Sequence, residues 1–139
     1  MSFVKVMIHS VWGTKNRKRI LLTEPRNFIL SHIRENAKSK EIYIDTINAE
    51  PEHVHCLFAL NADMALSKAM NLIKGEASFW ANKQKLINPK LDWADDYFAT
   101  SVSESQLPKV REYIRNQQEH HKKITFTEEY EKFIKAYHG

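Results

Sequence analysis

Apolar and polar side chains alternate over residues 2–12, where Val4, Val6 and Ile8 fall on one face and Phe3, Lys5 and Met7 on the other. That period of two predicts a first strand. The polar segment TKNRKR then reads as a loop. Thr23-Glu24-Pro25 marks a helix start, and Phe28, Ile29, Ile33 and Ala37 give that helix a buried stripe. Residues 41–48 and 53–60 predict two further strands joined by the turn at 49–52, a hairpin. Asp63 is placed to cap a long helix with Leu66, Ala69, Met70, Ile73, Ala77 and Trp80 inward. Gly75 weakens that helix by about 1 kcal/mol relative to alanine, so a bend is expected there. Residues 97–102 form a fourth strand.

The resulting order, β-α-β-β-α-β, is the ferredoxin-like arrangement, an α+β fold on an antiparallel sheet. Two additional C-terminal helices come after it. The first begins between Ser103 and Pro108 and runs to about Lys122. The second carries a capping-box match at Thr125–Glu128 and an apolar face of Tyr130, Phe133, Ile134 and Tyr137. With 139 residues and no repeat or linker, residues 1–139 are expected to form a single domain.

Composition narrows the picture in three ways. No apolar run approaches the roughly 20 residues of a membrane span, and the N-terminus lacks a signal-peptide pattern, so no membrane partner is expected. The lone Cys56 has no intramolecular disulfide partner, which points to the cytoplasm. The net charge of +4 is modest, but residues 1–20 hold Lys5, Lys15, Arg17, Lys18 and Arg19 with no acid among them. Such a cluster suits phosphates, and equally suits a solvated surface.

Two short motifs offer chemistry. In PEHVHCLFAL, His53 and His55 stand two apart on a strand and therefore project to one face, with Val54, Cys56, Phe58 and Leu60 on the other. Two imidazoles at that spacing can chelate one cation. The alternative is a coincidental pair, although burying two imidazoles in a sheet demands compensation. In REYIRNQQEHH, Tyr113 and Gln117 are four apart, one helical turn, with His120 close to the same line. Leu107, Val110 and Ile114 form the apolar line beside them. Tyr113 could still be a core aromatic, and the polar stripe a solvated face.

Taken together, the motifs resemble those of the small single-tyrosine HUH transposases of bacterial and archaeal insertion sequences, including their REP-associated relatives. The likeness runs from IHSVWGTKNR through PEHVHCLF and YIRNQQEHH to TFTEEYEKFIKAY. It implies that His53, His55 and Gln117 ligate a divalent metal, Mg²⁺ or Mn²⁺, and that Tyr113 attacks DNA. It also implies a homodimer, often with the tyrosine helix serving the partner's metal site, and single-stranded DNA ends with hairpins as substrate. No nucleotide cofactor is expected. His120 is a geometric candidate for proton acceptor, while Lys15, Arg17, Lys18, Arg19 and Lys74 are candidate DNA contacts. His9 reads as a strand residue beside the site rather than a ligand. Asn16, where the family often has an aromatic, and Glu76-Ala77, where it often has small serine-rich residues, depart from the pattern, so hairpin specificity does not carry over.

Three other readings share these residues. One is a domesticated nickase acting at chromosomal hairpins. Another is a non-catalytic single-strand-binding module of the same fold. A hydrolytic zinc enzyme lacks a glutamate base beside the histidines except Glu52, which strand alternation predicts to point away. Use of Tyr113 in cis or in trans stays open at this level.

Overall fold

The computed structural model describes residues 3–117 together with 128, 131, 132 and 135. The apolar face expected of the second C-terminal helix (Tyr130, Phe133, Ile134 and Tyr137) and the stretch from 118 to 122 therefore lie outside the described residues. Four strands, β1 (Met7–Gly13), β2 (Tyr43–Glu50), β3 (His53–Ala59) and β4 (Phe98–Val102), form one antiparallel sheet in the order β2-β3-β1-β4. The helices are α1 (Thr23–Ser39), α2 (Leu66–Met70), α3 (Glu76–Lys83) and α4 (Leu107–Arg115). This is the ferredoxin-like α+β arrangement expected from the pattern. Among the described residues, no helix is long and apolar enough to cross a membrane.

Strand alternation divides the central strands between two cores. Ile8, Trp12, Val54, Cys56 and Phe58 face α1, α2 and α3 and join Ile29, Ile33, Ala37, Met70, Ile73 and Ala77. Met7 and Leu57 face the other way and pack with Val102, Leu107, Val110 and Ile114 under α4. Both sides of β3 are therefore covered, which is why six of its seven residues are buried.

Several expected boundaries move. β1 begins at Met7, because β3 and β4 offer partners only as far as Ala59 and Val102; Phe3 and Val4 are exposed. β2 runs through Glu50, leaving Pro51-Glu52 as the turn. Asp63 does not cap the long helix. Its backbone N–H donates to the Asn61 side chain, and Ala65 occupies the cap position. The long helix opens into a wide turn over Asn71–Gly75, where a Cβ at Gly75 would come within 2.6 Å of the Asn71 amide oxygen and displace that side chain. That turn rotates α3 relative to α2, so Ala77 and Ala81 are buried while Trp80 is only partly so. Phe28 is exposed, since Ile29, Ile33 and Ala37 already form the inward line of α1. α4 is interrupted at Asn116, which is out of helical geometry (φ −98°, ψ 22°), Gln117 is again helical, and the rest of the stretch expected to reach Lys122 lies outside the described residues.

α4 is tied to its own sheet by polar contacts as well as by apolar packing. The pairing register of β2 against β3 skips one residue between Ile44 and Thr46, leaving Asp45 as a bulge. Arg111 Nε and Nη2 donate to the two Asp45 carboxylate oxygens at 2.9 Å each, a bidentate pair. Asn48 Nδ2 donates to the Ile114 carbonyl at 2.9 Å and to that of Arg115 at 3.3 Å, satisfying two acceptors at the helix end.

The hydrogen bonds from Arg111 hold the Asp45 carboxyl below the usual carboxylate range, although burial opposes them. Because the folded-state value is depressed, the pair's stabilisation is fully present above the unfolded value of about 3.9 and is lost as pH falls through the folded value. Asp45→Asn is expected to lower the denaturation midpoint at neutral pH, with the gap from the parent closing below about pH 4. Denaturant titrations across that range check this; a gap that does not change with pH would discount the pair.

Candidate functional site

The site forms where the α4 face of the sheet carries imidazoles instead of aliphatic chains. His53 and His55 project from β3 with 0% and 2% exposure. His9 projects from β1 on the same face and is also fully buried. In the β1–β3 register His9 stands opposite Leu57, which makes His55 its diagonal neighbour. The rings meet accordingly, with His9 Nε2 3.0 Å from His55 Nδ1. The His53 and His55 ring centroids are 5.0 Å apart.

α4 lays Tyr113 over this pair. Its partly buried ring lies 5.6 Å from that of His55 and 6.4 Å from that of His9, edge to face in both cases. Gln117 comes just after the break at Asn116 and is fully buried. Its Nε2 donates to the Tyr113 carbonyl at 3.1 Å, and its Oε1 lies 3.4 Å from His53 Nε2. The spacing of four thus brings Tyr113 and Gln117 to one place without a continuous helix. All these groups belong to one chain.

Glu52 overturns an expectation. Alternation predicts that it points away from the histidines, but it is 5% exposed and its Oε1 lies 3.3 Å from His53 Nδ1. Residue 52 belongs to the turn, where strand alternation does not apply. Arg19, itself exposed, donates from Nη1 to Glu52 Oε2 at 2.9 Å. Gly13 permits the approach, since a Cβ there would stand 3.3 Å from the Glu52 carbonyl. Sequence reasoning also missed Glu50, which pairs with His53 across β2 and β3 and is buried. Two glutamates flanking a turn that leads into His-x-His were the available signal.

The donor set suits a divalent cation. Two donors bound about 2.1 Å from one ion lie roughly 3.0–3.5 Å apart at octahedral to tetrahedral angles. His53 Nε2 and Gln117 Oε1 have that separation. With a proton on His53 Nδ1, the nitrogen nearer Glu52, the Nε2 lone pair would face the amide oxygen. Among the described residues, no three His, Cys, Asp or Glu side chains are grouped to hold a metal. A closed zinc site of that kind is therefore not built here. Cys56 lies on the opposite face, and full burial pushes its thiol far up, which leaves it inert.

The candidate DNA contacts differ in their placement. Lys15, Arg17 and Lys18 are exposed on the loop after β1, and Asn16 and Arg17 both take left-handed backbone (φ 56° and 52°). Lys15 has Asp92 at 3.8 Å. Arg19 is engaged by Glu52. Lys74 turns inward, donating to the carbonyls of Ala94, Asp95 and Asp96, and burial lowers its pKa. His32 stacks on Trp80 and meets Glu76 at 2.7 Å, away from the site. His120, His121 and His138 lie outside the described residues.

The chain is 25% identical over 115 residues to the ISDra2 transposase TnpA of Deinococcus radiodurans, covering 78% of this chain and 81% of that one. It is 26% identical over 120 residues to the transposase for insertion sequence element IS200 of Salmonella typhimurium, covering 82% and 78%. A solved structure of a REP-associated tyrosine transposase bound to a REP hairpin matches in fold. Its TM-score is 0.66 at 18% identity, covering 87% of this chain and 72% of that one. The family model described as "Transposase IS200 like" matches residues 2–117. The chain belongs to the IS200-like family of transposases.

Proposed function

We propose that this transposase works in the cytoplasm as a metal-dependent enzyme that cuts and rejoins single-stranded DNA at hairpin-bearing ends through a 5′-phosphotyrosine. The observation that carries the reading is the convergence of Tyr113, His53, His55 and Gln117 on one face of one sheet. Hairpin-bearing ends are inferred by analogy with the hairpin-bound relative.

Tyr113 Oη attacks the phosphorus, and the bond to the 3′-oxygen breaks. The phenol loses its proton to a base, for which His120 is the candidate, and the departing 3′-oxygen becomes a hydroxyl. The ester conserves the bond energy, so a second 3′-OH can attack it, restore Tyr113 and join new ends without ATP. His53, His55 and Gln117 would hold Mg²⁺ or Mn²⁺, which supplies charge neutralisation at the phosphoryl and leaving oxygens. The exposed Lys15, Arg17 and Lys18 would contact phosphates. Arg19 would act through Glu52, and Lys74 by bracing the 94–96 loop. The edge strands β2 and β4 offer surfaces for a homodimer. Apolar packing, the Asp45–Arg111 pair and the Asn48 contacts fix α4, and with it Tyr113, on the sheet. The same geometry would serve a chromosomal nickase, which only the flanking DNA distinguishes. A pure binding module would give no adduct.

With end-derived single-stranded DNA and Mn²⁺, the wild-type protein is expected to form a denaturation-resistant adduct on the 5′-phosphate side of the cut. Tyr113→Phe should abolish the adduct and leave DNA binding largely intact. An adduct forming at the wild-type rate in that variant would remove Tyr113 from the mechanism.

His53→Ala/His55→Ala should lose both cleavage and calorimetric Mn²⁺ binding, whereas Gln117→Ala should lose less affinity, since water can replace an amide oxygen. Chelation with EDTA should stop wild-type cleavage. Unchanged Mn²⁺ affinity in the double variant would place the metal elsewhere.

Subunit mixing tests the use of the helix. If Tyr113 serves its own chain, a heterodimer of Tyr113→Phe and His53→Ala/His55→Ala contains no intact site and should form no adduct. Recovery of adduct after verified subunit exchange would mean that the helix serves the partner.

A further inference from the structure

We propose that His9 is a positioning residue that sets the tautomer of His55, so that His55 presents its Nε2 lone pair to the cation. The proposal rests on the metal reading above and assigns a task to a residue outside its ligand set.

The contact that carries it is His9 Nε2 to His55 Nδ1 at 3.0 Å, with both rings buried and tilted by 36°. Between two neutral imidazoles this close, one proton occupies the contact. If it belongs to His9 Nε2, then His55 carries its own proton on Nε2 and cannot ligate through that atom. If it belongs to His55 Nδ1, His9 accepts the hydrogen bond and His55 Nε2 has a free lone pair. Metal-ligating histidines generally donate their other ring N–H to an acceptor, which orients the ring and raises its basicity. His53 already has such a neighbour in Glu52 Oε1 at 3.3 Å. His55 sits one step further along β3, beyond the turn that supplies that carboxylate. Its neighbour is the imidazole that the antiparallel register places diagonally on β1.

An imidazole in this place differs from a carboxylate in adding no negative charge beside the site. It therefore orients His55 without competing with phosphate for the cation's charge. The two ligands are thus held by different chemistry, His53 by an acid tied to Arg19 and His55 by a neutral ring from the neighbouring strand.

Long-range ¹H–¹⁵N correlation on the metal-free wild-type protein reads the tautomer directly. His55 is expected to be protonated on Nδ1 and bare on Nε2. His9→Phe keeps the ring volume and removes the acceptor; its His55 proton should move to Nε2, and Mn²⁺ affinity by calorimetry should fall about 10–100-fold. His9→Gln, which supplies an amide oxygen as acceptor, should stay within about threefold of wild type. A bare His55 Nδ1 in the wild type overturns the proposal without any variant. So does wild-type Mn²⁺ affinity in a folded His9→Phe protein. Failure of the wild type itself to bind Mn²⁺ would instead sink the metal reading, and this proposal with it.

Discussion

The structure depends on burying two imidazoles at the centre of a sheet that is covered on both faces. β3 lies between β2 and β1, with one side against α1, α2 and α3 and the other under α4. A buried imidazole without hydrogen-bonding partners is costly, and water cannot serve at 0–2% exposure. Each neighbouring element therefore contributes a polar group. β1 brings His9, the β2–β3 turn brings Glu52, and the end of α4 brings Gln117. Three separate elements thus converge on the two histidines of β3.

The position of α4 obeys the same constraint. An apolar line of Leu107, Val110 and Ile114 seats it on Met7 and Leu57, but such a contact tolerates sliding by a turn. Two directional contacts remove that freedom. The bulge at Asp45 aims a carboxylate at Arg111, and Asn48 holds the last carbonyls. The break at Asn116 then brings Gln117 onto His53 while its amide returns a hydrogen bond to the Tyr113 carbonyl. Tyr113 and Gln117, the proposed nucleophile and third donor, are thus linked through one backbone carbonyl.

The basic segment after β1 divides in a way that total charge conceals. Arg19 stays exposed, yet its guanidinium reaches Glu52, which would otherwise be a buried anion next to His53. Lys15, Arg17 and Lys18 stay outward on backbone that turns through two left-handed residues. The loop that faces nucleic acid in this reading is therefore anchored at the acid that orients a metal ligand. Lys74 is a brace, its ammonium satisfied by three carbonyls.

Much of this was legible in the residues alone. The alternation of HVHCLFA put His53 and His55 on one face and Cys56 on the other, because strand geometry leaves no choice. The order of strands and helices, and the inward line Ile29, Ile33 and Ala37, come from periodicity for the same reason. What tertiary structure decided are the contacts between residues distant in sequence. His9 meets His55 only because of the β1–β3 register, 46 positions apart. Glu52 meets Arg19 from 33 positions away, and Lys74 turns inward because the loop at 94–96 passes over it. The carbonyls just before the interruption of α4 at Asn116 are met by Asn48, 66 and 67 positions away in sequence. Local sequence determines the face on which a side chain emerges; the partner waiting on that face is set by register and packing, which no single segment encodes.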